Sequence, residues 1–361
     1  MKRRLFLAGA ATIGGGALST PAISQGRKEW KFLSFWPKGL PGVWGEIEDF
    51  TKQVAAATNG RLSLKIYGAG ELVPSLEIMD AVSGGSAEMG HGAPYYWKGK
   101  VPAAQFLAGM PFGMTTQEMN AWYRYGDGQA LADEVYSEMN CKFMLGGNTG
   151  VQMGGWYNKE INSLADFEGL KIRIPGLGGE VMKAAGANVM LVPGSEALTA
   201  LSTGNIDAAD WVGPYNDLAG GLYKAASYYY YPGWHEPTTV LDNFVNLSAW
   251  ESLDDDLKTI LQQCSAALNE RLLSGYVARN NQALATLVEK HGVELRRFND
   301  EVLVGLGKLS VETITAIADQ DPLSRKVLDS IIAFRKDALQ WSKLSELAYQ
   351  EARALDYGDF E

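Results

Sequence analysis

Residues 169–217, GLKIRIPGLGGEVMKAAGANVMLVPGSEALTALSTGNIDAADWVGPYND, limit the fold more than any other stretch of the chain. They alternate short extended runs with short helical ones. Leu170–Ile174, 188–191 and Ile206–Val212 read as strands, and 180–185 and 195–202 as helices. Strands separated by helices imply crossover connections and hence parallel pairing. Such sheets take ligands where strands end in loops. Arg173 stands at one of these ends, just before the loop Pro175-Gly176-Leu177-Gly178-Gly179, and Asp210-Trp211 stand at another. A cation and an anion at the mouth of one crevice suit a small carboxylate.

The N-terminus reads as an export signal. Met1-Lys2-Arg3-Arg4 is basic, Leu5–Ala17 is apolar and small, and Ala22-Ile23-Ser24 offers small residues at the cleavage positions, so 1–24 is expected to be removed. Arg3-Arg4 resembles a twin-arginine signal, with Lys2 where a polar residue is usual. No Cys near the cleavage site offers a lipid anchor, and no later stretch approaches the ~18 apolar residues of a membrane span. The remaining chain, roughly 337 residues, suffices for two domains. It would carry 29 basic against 42 acidic residues, a net charge of −13, because the signal takes three of the 32 basic residues and no acid. That charge argues against nucleic acid or an anionic membrane as partner. It also makes an arginine at a strand end more telling. Cys141 and Cys264 are too few for a disulfide framework, and separate thiols are the expectation.

Before the central stretch, Trp30–Phe35, Leu62–Tyr67 and 87–91 read as strands and Val43–Thr58 and 75–82 as helices. This is a βαβαβ half whose third strand enters the aromatic loop Pro94-Tyr95-Tyr96-Trp97. A helix is predicted from Thr116 to about Met139, then a strand over 142–145. Residues 148–157 lead into the second half. Later, Tyr228–Tyr231 reads as a strand, Trp234-His235-Glu236-Pro237 as a loop, and 238–247 as a strand returning to the first half. A helix of about three dozen residues follows Ser252 and runs to about His291, long enough to span both halves. Asn299 is placed to cap a helix to about Ala318. Asp321-Pro322 opens the last helix, which could run to Ala354. The expected class is α/β with parallel-rich sheets. Domain I comprises 27–150 plus about 238–290, including the spanning helix. Domain II comprises 151–237 with returning C-terminal helices, and an extended helix occupies 322–356.

Gly169-Leu170-Lys171-Ile172-Arg173 with Pro175, the Gly204-Asn205-Ile206-Asp207 turn and the long helix after Ser252 resemble the substrate-binding proteins of TRAP transporters, the DctP-like family. Asp210-Trp211-Val212-Gly213-Pro214-Tyr215 and Trp234-His235-Glu236-Pro237 are similar to the branch that binds 2-oxo or 2-hydroxy monocarboxylates together with a metal ion. The resemblance implies two domains closing on a ligand, delivery to a sodium-driven membrane permease, and a homodimer held by the extended C-terminal helix. It implies that Arg173 holds the carboxylate and that Gln152 touches substrate and metal. Asp210, the Trp211 carbonyl and Glu236 would supply further oxygens to the ion. Parts of the branch carry Glu where Asp210 stands, which leaves Na⁺ or Ca²⁺ open.

The residues agree with these roles in different degrees. Guanidinium pairs two donors with both carboxylate oxygens, although spacing alone also allows Arg173 a structural salt bridge. Asp210, Gln152 and Glu236 are hard oxygen donors suited to Na⁺ or Ca²⁺; alone, Asp210 would read as a strand-end cap and Glu236 as part of a surface turn. Tyr95, Tyr96, Trp97, Trp36, Phe35 and Trp211 could wall a pocket or pack the core. Tyr95 or Tyr96 is a further candidate substrate contact, and so is Asn148. Enzyme signatures are missing: His91, His235 and His291 form no zinc motif, there is no Gly-x-Ser-x-Gly elbow, and the glycines of 176–179 fail the dinucleotide spacing. An organic-acid receptor of an ABC or signalling system is the alternative, and a periplasmic enzyme acting on organic acids a more distant one.

Overall fold

The computed structural model of the chain describes residues 26–190, 192 and 196–358. The predicted signal at 1–24 lies outside the described residues, as do Leu191 and Ser195, which the sequence places in a strand and a helix.

Two mixed sheets form the frame. The first contains β1 (Lys28–Ser34), β2 (Leu62–Tyr67), β3 (Met89–Gly92), β4 (Cys141–Asn148) and β10 (Val240–Asn246), in the order β2-β1-β3-β10-β4. The second contains β5 (Gly155–Tyr157), β6 (Lys171–Arg173), β7 (Asn188–Met190), β8 (Ala208–Ala209), β9 (Tyr228–Tyr231) and β11 (Glu294–Arg297), in the order β11-β9-β5-β8-β6-β7. Within 169–217, β6 pairs in parallel with both β7 and β8, as the helical crossovers require. Each sheet also takes in one strand that has come across from the other half. β10 and β5 run antiparallel to both of their neighbours, so the sheets are less uniformly parallel than the sequence implies.

Helix ends follow local chemistry where the sequence supplies it. Asn299 and Asp321 accept the backbone N–H groups of Val302 and Ser324, capping Asp300–Ala318 and Pro322–Ser342. Asn59 and Gly60, both with positive φ, end the helix Val43–Ala57. The helix predicted from Thr116 to Met139 is two helices, Thr116–Tyr125 and Gly128–Ser137. A Cβ at Gly126 or Gly128 would lie within 3 Å of Trp122 atoms, so the break lets the second helix fold back onto that indole. The 37-residue helix Asp255–His291 packs on β4 and Val43–Ala57 of one half and on Pro214–Gly220 of the other. The last helix, Pro322–Ser342, returns to the first half, with Leu328 and Ile331 buried there. Both thiols are free; Cys141 is buried and Cys264 half-buried. Among the described residues no helix is long and apolar enough to cross a membrane.

Candidate functional site

The cleft between the sheets is closed by direct contacts. Trp36 of the first half meets Trp211 of the second with ring centroids 6.3 Å apart. The Asn216 amide donates to the Pro41 carbonyl at 2.9 Å. Lys98 and Glu180 form an ion pair at 2.6 Å across the mouth.

Arg173 ends β6 and is 1% exposed. Its Nε donates to the Val192 carbonyl at 3.1 Å, and Nη1 donates to the Asp210 carbonyl at 2.7 Å and more weakly to Asp210 Oδ2 at 3.4 Å. The guanidinium lies 5.4 Å from the Trp211 ring. Nη2 is buried and has no hydrogen-bond partner among the described residues. A buried unpaired donor on a fixed cation is costly, and an anion bound there would pair it.

Two chain crossings bring the acceptors to this donor. The segment leaving β4 carries Gln152, and the segment entering β10 carries Glu236. The Gln152 N–H donates to the Glu236 carbonyl at 3.1 Å. Gly233 permits that crossing, since a Cβ there would lie 2.1 Å from the Gln152 carbonyl oxygen. The Thr239 hydroxyl then links the two side chains: it accepts from Gln152 Nε2 at 2.9 Å and donates to Glu236 Oε2. This leaves Gln152 Oε1 and Glu236 Oε1 buried without partners among the described residues. His235 donates from Nε2 to Asp210 Oδ1 at 2.9 Å, fixing the carboxylate that follows β8. One donor atom each from Asp210, His235 and Glu236 lie within 4.8 Å of one another.

Glu236 has its pKa pushed up to about 7, first by burial and then by the charge of Asp210. For His235, burial lowers the pKa, but the contact with Asp210 outweighs it and the net shift is upward. Asp210 and Glu236 bring two carboxyl groups beside Arg173, and Gln152 Oε1 and Glu236 Oε1 are left without partners among the described residues. That donor set fits a hard cation: Gln152, Asp210 and Glu236 would hold it, with the Trp211 carbonyl next in the chain.

Of the sequence-predicted residues, Gln152, Arg173, Asp210, Trp211 and Glu236 come together, and Tyr95 and Tyr96 face them, within electrostatic reach of Arg173 and Glu236. Asn148 does not join them. Its Oδ1 accepts from Thr116 Oγ1 and the Gly150 N–H, and its Nδ2 donates to Thr238 Oγ1, so it braces the start of the crossing segment. Sequence reasoning left out His235 and Thr239 as site residues. It also left out Asp217, which accepts from the Val212 and Gly213 N–H groups, Trp156 Nε1 and the Tyr229 hydroxyl and so holds the turn after Trp211. The glycines of 176–179 have a packing purpose: a Cβ at Gly178 would strike His235 at 2.8 Å, and one at Gly179 the Ile174 carbonyl at 2.7 Å.

Comparison with known proteins gives matches over most of the chain. The model of bacterial extracellular solute-binding protein family 7 matches residues 34–314. A monocarboxylate 2-oxoacid-binding periplasmic protein of Nostoc sp. is 40% identical, covering 97% of this chain and 98% of the relative. A TRAP periplasmic solute-binding protein from Pseudoalteromonas atlantica, solved with bound sodium and pyruvate, superposes with a TM-score of 0.88 at 38% identity, covering 90% of this chain and 99% of that one. A TRAP transporter solute-binding protein from Bordetella bronchiseptica also superposes with a TM-score of 0.88, at 35% identity, covering 91% and 97%. It was solved as a mixed-occupancy dimer, with calcium and picolinate in one site and the other apo.

Proposed function

The chain belongs to family 7 of the bacterial extracellular solute-binding proteins and is a TRAP solute receptor, and on that footing we propose that it binds a 2-oxo monocarboxylate together with Na⁺ or Ca²⁺. The observation that carries this reading is the buried, unpaired set of Arg173 Nη2, Gln152 Oε1 and Glu236 Oε1. Arg173 pairs with the acid's carboxylate. Gln152, Asp210, Glu236 and the Trp211 carbonyl hold the ion, which when bound supplies the positive charge that Asp210 and Glu236 require. A 2-oxo or 2-hydroxy oxygen beside the carboxylate lets the acid chelate that ion, which separates such acids from acetate or propionate. His235 and Thr239 orient Asp210 and Glu236, in the way outer hydrogen bonds commonly fix metal ligands.

Binding across the cleft stabilises the closed form, and the closed surface is what the membrane permease receives. The family and the basic, then apolar, sequence of 1–24 support a periplasmic receptor, and Arg3-Arg4 supports export by the twin-arginine route. The C-terminal helix joins two copies, a reading that the dimeric state of the Bordetella neighbour supports. Titration of chelator-stripped protein with pyruvate in sodium-free buffer, repeated with Na⁺ or Ca²⁺ restored, tests the site. The acid is expected to bind at least about tenfold more tightly with one of the ions present. That corresponds to ~1.4 kcal/mol, a modest fraction of the cost of leaving charges unpaired in a buried site. Equal affinity in all three buffers would exclude a role for the ion.

A further inference from the structure

Two elements that carry site residues also meet each other at the mouth of the cleft. Tyr95 and Tyr96 lie in the short helix Pro94–Trp97 of the first half, and Lys98 follows it directly. Arg173 ends β6 of the second half, and Glu180 lies in the helix Gly176–Ala184 that comes next. The Tyr95 ring packs on Gly176, where a Cβ would lie 3.3–3.4 Å from Tyr95 atoms. Lys98 Nζ donates to Glu180 Oε1 at 2.6 Å. A cavity of about 160 Å³, lined from both elements, interrupts the packing between them. Glu180 has a second partner: Lys183, one helical turn on, donates to Oε1 at 3.1 Å and to Oε2 at 3.2 Å. Burial alone would raise the Glu180 pKa, but Lys98 and then Lys183 outweigh it and hold the carboxyl below its ordinary value. Opening the cleft treats the two pairs differently. Lys183 and Glu180 belong to one helix and stay together, whereas Lys98 departs with the first half. Glu180 thus keeps one cation in the open cleft, and the two lysines repel each other over the carboxylate they share in the closed one. The other contacts described above as closing the cleft, Trp36 with Trp211 and Asn216 with Pro41, involve no charged group.

We propose that the Lys98–Glu180 pair is a latch on the occupied cleft that sets how long the acid stays, and that Lys183 weakens the latch by holding Glu180 in the open form as well. This rests on the receptor reading above. An acid paired with Arg173 in the closed cleft leaves when these two elements part, and their parting breaks the ion pair. Entry takes place through the open cleft, where the pair has not formed. The latch therefore acts on release and leaves association alone. A charge that merely attracts an anion from solution acts otherwise: loss of either lysine would slow association, and loss of Glu180 would speed it.

The test measures pyruvate affinity by calorimetry and release of labelled pyruvate by rapid filtration, with Ca²⁺ present throughout. Lys98→Met and Glu180→Gln should each speed release about two- to fivefold, the effect of a partly exposed ion pair, with the association rate unchanged. Lys183→Met should slow release, because Glu180 then has its only partner across the cleft. Lys98→Glu should release faster than Lys98→Met, and adding Glu180→Lys to it should slow release again by restoring a pair of opposite sign. All four positions of charge change are at the surface of the mouth, so the fold is expected to survive each of them. Unchanged release in Lys98→Met and Glu180→Gln, with pyruvate still bound by wild type, would overturn the latch and leave the receptor reading intact. Lys98→Met and Lys183→Met changing affinity alike, through association alone, would also overturn it. A wild type that binds no pyruvate would overturn the receptor reading on which the latch rests.

Discussion

At the scale of single residues, Arg173 and His91 illustrate opposite ways of burying a basic group. Arg173 stays charged because carbonyls and Asp210 take part of its fork, leaving Nη2 for a ligand. Arg173→Lys keeps the charge but loses the planar pair of donors. It is expected to cost about 2–5 kcal/mol of affinity for the acid, the range found when one partner of a buried charge pair is truncated. Calorimetry giving near-wild-type affinity would remove Arg173 from the ligand. His91 is held neutral instead. Trp36 Nε1 donates to its Nδ1 at 2.9 Å, which places the ring proton on Nε2, 3.0 Å from the Gly146 carbonyl. Burial pushes its pKa down to about 4. Between the ordinary value of about 6.5 and that one, the folded chain binds fewer protons here than the unfolded chain. Its contribution to stability is therefore intact above pH 6.5 and falls away toward pH 4, by up to about 1.4 kcal/mol per pH unit. Its imidazole NMR shifts should stay flat from pH 8 to 5; a titration centred near 6.5 would contradict a buried neutral ring.

At the scale of elements, the C-terminal helices divide their work along their length. The sequence marks the whole run from Leu328 to Leu344 as too apolar for a surface helix. The structure buries Leu328 and Ile331 against the chain's own first half and leaves Trp341 and Leu344 71% and 79% exposed. Among the described residues the distal part, including the π-helical turn Lys343–Leu347, therefore presents the larger unmet apolar face, with the half-exposed Ile332 before it. If that face joins two copies, Trp341→Asp should yield a monomer by sedimentation equilibrium at micromolar concentration and leave thermal stability at low concentration nearly unchanged. Wild-type protein that sediments only as a monomer would remove the dimer.

At the scale of the whole molecule, function follows from the two sheets being joined by three crossings. The segment 148–155, the segment 231–240 and the helix Asp255–His291 all pass between the halves. Two of these crossings carry Gln152 and Glu236, so two of the groups assigned to the ion sit where the chain passes between the halves. The groups assigned to the carboxylate come from one strand end of the second half, and Tyr95 and Tyr96 face them from the first. Ligand and ion held by these groups would bridge the two halves, and their binding energy is available to hold the cleft closed. The acidic charge of the whole chain does not draw anions in; Arg173, the one buried arginine among the described residues, does so locally.

What the sequence determined by itself was mostly periodic or local. The alternation within 169–217 specified crossovers and put Arg173 and Asp210 at strand ends, because strand and helix periods are written in adjacent residues. Asn299 and Asp321 cap their helices because a side-chain acceptor reaches an N–H three residues on. Pairings across long separations needed the fold. Gln152 meets Glu236, and His235 meets Asp210, because two connecting segments cross at Gly233, where any side chain would strike the Gln152 carbonyl. The strand β11 went unread because it is a largely exposed edge strand of charged residues with no buried face to impose a pattern. The break at Gly126 went unread as well, since a glycine in a helical pattern reveals its purpose only when the indole it must clear is in place. Composition and period chose the architecture, and the tertiary crossings decided which of its polar atoms were left buried and unpaired.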